Sequence, residues 1–170
     1  MTHDLASLNA ADRVTFVSAL GHLFEHSPWV AEQTWARRPF RNSTHLHSEL
    51  CRTMRSAPPE RQLTLVRAHP DLAGRLAQQD QLTLASKREQ ASAGLEQLGA
   101  GELAEFEKLN HAYRVRFAFP FVICARLNDK AAIVDAMRTR LANSPEDELE
   151  TALKEIEKIA QLRLRDILPN

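Results

Sequence analysis

Apolar residues along this chain recur mostly three and four positions apart, and alternating runs are missing, so the pattern predicts helices throughout. Asn9 followed by Asp12 is similar to a capping box with the acid in place of Glu or Gln. Val14, Val17, Leu20, Leu23 and Phe24 then trace one apolar face. Ser27-Pro28 ends that helix and starts the next, which carries Trp29, Val30 and Trp35 before Pro39-Phe40. A third helix follows Ser43 with Leu46, Leu50, Cys51 and Met54 inward, and Ala57-Pro58-Pro59-Glu60 opens a fourth with Leu63, Leu65 and Val66. Pro70 disfavours helical geometry at His69, so that helix ends there, and Asp71 is positioned to cap a short segment through Leu76. Thr83 opens another helix whose pattern continues through Leu95 and Leu98, Gly99-Ala100-Gly101 reads as a linker, and Leu103, Phe106, Leu109, His111 and Tyr113 fall on the next. Residues 130–142 form a helix ended by Asn143. Ser144-Pro145-Glu146-Asp147 then supplies a cap, a first-turn proline and first-turn acids to the last one. Its inner stripe is Leu149, Leu153, Ile156, Ile159, Ala160 and Leu164. The expectation is an all-α protein, a single compact domain over residues 1–170 with about seven to nine helices.

Composition narrows the function classes. Lys plus Arg (22) balance Asp plus Glu (22), so no net field draws the chain to nucleic acid or an anionic membrane. Cys51 and Cys124 have no CxxC spacing and read as free thiols of a reducing compartment. The first residues lack a basic start followed by an apolar run, and no apolar run approaches membrane-spanning length. A soluble cytoplasmic protein is expected.

Five constellations can carry chemistry. His69, at the break between Arg67-Ala68 and Pro70-Asp71-Leu72-Ala73-Gly74, is held by backbone on both sides and titrates near neutral pH, which suits proton transfer; the plain alternative is a turn histidine that caps a carbonyl. Ser86, Glu89 and Gln90 share one helical face and offer a hydroxyl, a carboxylate and an amide to a small polar ligand; otherwise they are a solvated face. Phe119-Pro120-Phe121-Val122-Ile123 is apolar and broken by proline, so its N–H groups need partners from a ligand or a neighbouring helix end. Arg163 lies among inward positions of the last helix and needs a carboxylate, from the protein or from a substrate. His22-x-x-Glu25-His26 matches the inverted zincin pattern, with both histidines on one face if helical. Against zinc, Ser27-Pro28 stops the helix at once and no third ligand stands out. His45-x-His47 reads as solvated surface.

Taken in order, His69-Pro70-Asp71-Leu72-Ala73-Gly74, Ser86-x-x-Glu89-Gln90-x-x-x-Gly94-Leu95 and Phe117-x-Phe119-Pro120-Phe121-Val122-Ile123 resemble the 2-oxo-4-hydroxy-4-carboxy-5-ureidoimidazoline (OHCU) decarboxylase family. Glu25-His26-Ser27-Pro28-Trp29 and Lys158-Ile159-Ala160-x-Leu162-Arg163-Leu164-x-Asp166 fit as well, so the resemblance covers about residues 8–168. One departure is Ala118, where the family pattern has glycine before the Phe-Pro-Phe turn; a positive φ there strains an alanine.

The resemblance implies an all-helical carboxy-lyase without cofactor or metal, often a homodimer, that makes (S)-allantoin from a ureido-imidazoline at the end of urate degradation. It implies His69 as acid/base and Glu89 as its partner, with Ser86 and Gln90 holding the ring or ureido group. Residues 119–123 would offer backbone N–H donors, Pro70 its carbonyl, and Arg163 a charge-assisted hydrogen bond to a substrate oxygen. The rivals are an all-α protein-interaction module without catalysis and a zinc hydrolase built on His22, Glu25 and His26.

Overall fold

The computed structural model describes residues 3–74 and 82–169. Among these, nine α-helices and two 3₁₀ turns occur and no strand. The helices are α1 Leu5–Ala10, α2 Arg13–Leu20, α3 Trp29–Thr34, α4 Ser43–Arg55, α5 Pro59–Arg67, α6 Leu84–Ser92, α7 Ala100–Phe117, α8 Lys130–Arg140 and α9 Pro145–Ile167. The chain is all-α, as its periodicity predicts. No helix among the described residues is long and apolar enough to cross a membrane.

The residues gather into two compact units. One is discontinuous and takes Met1–Ala68 with Glu157–Asn170; the other is His69–Ile156. α9 contributes its first half to the second unit and its second half to the first. In the first, α3 packs on α2 and α4, around Phe16, Leu20, Leu23, Phe24, Val30, Leu46, Leu50 and Met54, with Ile159, Ala160 and Leu164 from α9 also buried. The second is built on Phe106, Tyr113, Phe117, Phe119, Phe121, Ile133 and Met137. Tyr113 meets the rings of Phe117 and Phe121 at 4.6 and 5.3 Å between centroids, the latter edge-on, a geometry favoured by the ring quadrupoles.

Caps set most helix starts. Asp4, Asp12, Asn42, Thr83 and Asp129 each accept from a backbone N–H three residues on, and Ser144 does so from Asp147. Several sequence expectations are corrected here. Asp12, not Asn9, caps α2; Asn9 lies inside α1 and grips Phe40, accepting from its N–H at 2.8 Å and donating to its carbonyl at 2.9 Å. Val14 is 79% exposed, because a helix starting at Arg13 turns Phe16, Ala19 and Leu20 inward instead. That helix ends at Leu20 rather than at Ser27: Leu23, Phe24 and Glu25 are consecutive and all buried, which no single helical face permits.

α6 stops at Ser92 instead of running to Leu98. Gly94 takes φ +78°, and the Leu95 N–H donates back to the Gln90 carbonyl at 3.1 Å, a glycine-terminated helix end. Gly99-Ala100-Gly101 is no linker: Gly99 is the cap residue of α7, its N–H donating to Glu102, and Ala100 begins the helix. His45 and His47 are half-buried, not solvated, and His47 Nε2 lies 2.9 Å from the Glu157 carbonyl and 3.3 Å from Cys51 Sγ. On α9, Leu149 is only half-buried while neighbouring Glu148 is fully enclosed.

Candidate active site

His69 sits just past the end of α5, whose last cap residue is Ala68, and is buried. Pro70 explains why the helix does not continue. Among the described residues, Leu72 and Ala73 form a turn rather than a helix start, and both carboxylate oxygens of Asp71 take the Arg114 Nε–H at 2.9 Å. Arg75 and Leu76 of the expected short segment lie outside the described residues. Ala73 holds φ +50°, the left-handed region that is costly for a residue with a Cβ.

Two further side chains pin the backbone of that turn. Gln90 accepts from the Ala73 N–H at 2.9 Å and donates to the Asp71 carbonyl at 3.4 Å, so the turn engages both ends of its amide. Asn110 on α7 donates to the Leu72 carbonyl at 2.9 Å. Asn110 and Arg114 were not foreseen; their position four apart on one helix face, beneath a loop rich in carbonyls, is the only sequence cue.

α6 is inverted with respect to an ordinary surface helix. Ser86, Glu89 and Gln90 are buried while Leu84 is 77% exposed. The face predicted from their spacing exists, and it points inward. Thr83 sets its start, accepting from the Ser86 N–H and donating to the Ser86 hydroxyl at 3.0 Å. Burying a hydroxyl, a carboxylate and an amide while leaving a leucine in water opposes the hydrophobic effect, and a polar face turned inward suits polar chemistry.

Residues 119–123 are all buried. Ala118 ends α7 in the left-handed region, at φ +59° and ψ +20°, which is the strained geometry foreseen for an alanine in place of glycine. α6 packs beside the 3₁₀ turn Ala125–Leu127 that follows. Burial pushes the Cys124 thiol up, and the carboxylates of Glu155 and Glu89 push it further. Glu89 therefore lies near enough to Cys124, the residue after Ile123, to raise its pKa. His69, Pro70, Ser86, Glu89, Gln90 and residues 119–123 all fall in the second unit.

Arg163 belongs to the first unit. It is 4% exposed, and its carboxylate partner is the protein's own Glu25, 3.0 Å away and equally buried; Arg163 also lies 3.3 Å from the His22 carbonyl, to which it donates. This arrangement counts against the zincin reading. Residues 21–28 are turns, so His22 and His26 do not share a helix face; His26 takes φ +45°, and Glu25 serves Arg163. No group of three His, Cys, Asp or Glu residues among those described is arranged to hold a metal. Desolvation, then the nearby Arg163 and His3, lower the pKa of His22.

Comparison with known proteins places the chain in a family. The sequence model of the family described as OHCU decarboxylase matches residues 9–165. This chain belongs to the OHCU decarboxylase family. Its relatives include the 2-oxo-4-hydroxy-4-carboxy-5-ureidoimidazoline decarboxylases of Amia calva, 43% identical over 97% of this chain and 94% of that protein, and of Haloferax volcanii, 43% identical over 95% and 94%. Against the crystal structure of (S)-allantoin synthase the TM-score is 0.77 at 27% identity, over 97% of this chain and 53% of that one, so this chain spans about half of that synthase. A crystal structure of OHCU decarboxylase in the presence of (S)-allantoin shares the fold, with a TM-score of 0.70 at 22% identity over 94% of this chain. The protein is thus an enzyme of the carboxy-lyase class, from a family whose place is in urate degradation.

Proposed function

We propose that this enzyme converts 2-oxo-4-hydroxy-4-carboxy-5-ureidoimidazoline to (S)-allantoin and CO2, with His69 as the acid/base group. The observation that carries the reading is the inverted polarity of α6: Ser86, Glu89 and Gln90 buried, and Gln90 bonded to the turn that follows His69. The chemistry suits those residue types. Breaking the bond from the ring carbon to the carboxylate sends its electron pair toward the adjacent ring C=N, whose nitrogen takes up a proton. The resulting enol then gains a proton on the carbon bearing the ureido group, while its hydroxyl proton leaves and a carbonyl forms. The ring imine is the electron sink, so the step needs no metal or pyridoxal.

Handedness depends on which face receives the carbon-bound proton. His69 moves protons to or from the substrate, and Glu89 is the carboxylate that tunes it. Ser86 and the backbone N–H groups of residues 119–123 hold the ring and ureido group, with the Pro70 carbonyl as an acceptor. Gln90 supports the His-Pro turn as well as the ligand. Glu25 keeps Arg163 in one orientation within the first unit; for any group that meets the departing carboxylate, orientation matters more than affinity, since tight binding stabilises only the ground state.

Circular dichroism of the product tests this, with substrate made fresh from urate by uricase and hydroxyisourate hydrolase. Wild type should give a rapid (S)-allantoin signal, and folded His69→Ala should lose on the order of 100-fold or more of the rate. A slow racemic background with both proteins would remove the decarboxylase reading for this chain.

A further inference from the structure

The two acids buried on α9, Glu148 and Glu155, have no part in the chemistry above, yet both converge on the segment that carries the proposed backbone donors. Glu148 is fully enclosed. It receives Nε of Arg140 at 2.9 Å, Nδ2 of Asn143 at 2.8 Å and the hydroxyl of Tyr113. Held this way, Arg140 reaches forward: its NH1 donates to the Val122 carbonyl at 3.0 Å, and its guanidinium lies 4.3 Å from the centre of the Phe121 ring. Two residues on, Glu155 accepts from the Cys124 N–H at 2.8 Å. The backbone is therefore fixed on both sides of Ile123.

Peptide geometry turns this fixation into direction. The peptide joining Val122 to Ile123 is trans, so its N–H is antiparallel to its carbonyl. With that carbonyl drawn onto Arg140, the Ile123 N–H points away from the guanidinium. By the same rule, binding of the Cys124 N–H to Glu155 aims the Ile123 carbonyl away from that carboxylate. The orientation of Ile123's peptide groups is dictated from behind by charged side chains that the substrate has no need to touch.

We propose that Arg140, braced by Glu148, is a positioning residue of this enzyme, which aims the backbone donors of residues 119–123 at the substrate. The proposal rests on the reaction assigned above, because the donors matter only if a ureido-imidazoline uses them. A lysine supplies no fork able to serve the Glu148 carboxylate and the Val122 carbonyl together.

The test uses the full chain with Arg140→Met and Glu148→Gln combined, which removes both charges and leaves neither one buried alone. Two quantities are read: kcat and KM on fresh substrate, and hydrogen exchange of the amides of residues 121–124. The expected result is a folded protein whose kcat falls by about 10- to 100-fold, more than KM changes, with faster exchange confined to that segment. Should the double variant not fold, Arg140→Lys keeps the charge opposite Glu148 and reads the same two quantities. Unchanged exchange, or faster exchange with wild-type kcat and KM, overturns the positioning role. Wild type run alongside separates the two claims: its failure to turn over the substrate fells the reaction, whereas equal turnover by wild type and variant fells only the role of Arg140.

Discussion

Ala118 and Gly94 make a natural pair at the scale of single residues. Both end a helix in the left-handed region, but only one is glycine. The Ala118 side chain is exposed, so its methyl has no packing to lose. Ala118→Gly should therefore relieve about 1 kcal/mol of backbone strain and raise the melting temperature by about 2–4 °C. Gly94→Ala, with open space around the added methyl, should cost about as much; thermal unfolding of the two variants checks both, and an Ala118→Gly protein that melts lower would refute the strain. Arg163 offers a second case. Its inward direction is legible from Ile159 and Leu164 on either side of it, but its partner is not. Glu25 lies far away in sequence, inside a pattern that reads as a metal motif. Removing that carboxylate with Glu25→Ala leaves a buried guanidinium short of its counter-ion, and urea unfolding should show a loss of about 3–5 kcal/mol. A loss within about 0.5 kcal/mol, the ordinary surface range, would mean that the pair holds nothing in place.

Among the elements, periodicity reports which residues share a face but not which way the face turns. Ser86, Glu89 and Gln90 were legible as a set because i, i+3 and i+4 positions coincide on any helix. Their burial was not, because a polar stripe defaults to solvent, and what reverses it is tertiary: α6 packs beside residues 125–127 and Gln90 bonds to the turn at residues 71–74. The buried acids of α9 escaped for the same reason: Glu148 beside Leu149 reads as the solvent edge of an apolar stripe. Helix ends divide by cause. Those written in local chemistry were legible, such as Pro59 in the first turn of α5 and Pro145 in that of α9. The end of α2 at Leu20 was not, since what stops it is the simultaneous burial of Leu23, Phe24 and Glu25.

For the molecule as a whole, acidity is a probe of the discontinuous unit. His22 binds its proton less readily in the folded chain than its ordinary value of 6.5. Between that lowered value and 6.5 the unfolded chain carries the extra proton, so stability rises with pH across the window and is lost as pH falls below 6.5. His22→Gln should lack this component. Urea unfolding of both proteins from pH 7.5 down to 5 should give curves whose separation is constant above neutrality and changes on acidification, with wild type losing ground. A separation that stays flat throughout would show that His22 titrates alike in both states.

The unit formed by Met1–Ala68 and Glu157–Asn170 also has a consequence in time. A ribosome makes its first part long before its second, with the whole of His69–Ile156 in between. That intervening stretch is contiguous and has its own aromatic core, so it can condense as it emerges. The opening helices must wait: Glu25 meets no Arg163 until the final turns of α9 leave the exit tunnel. In this chain the part synthesised first is the part completed last.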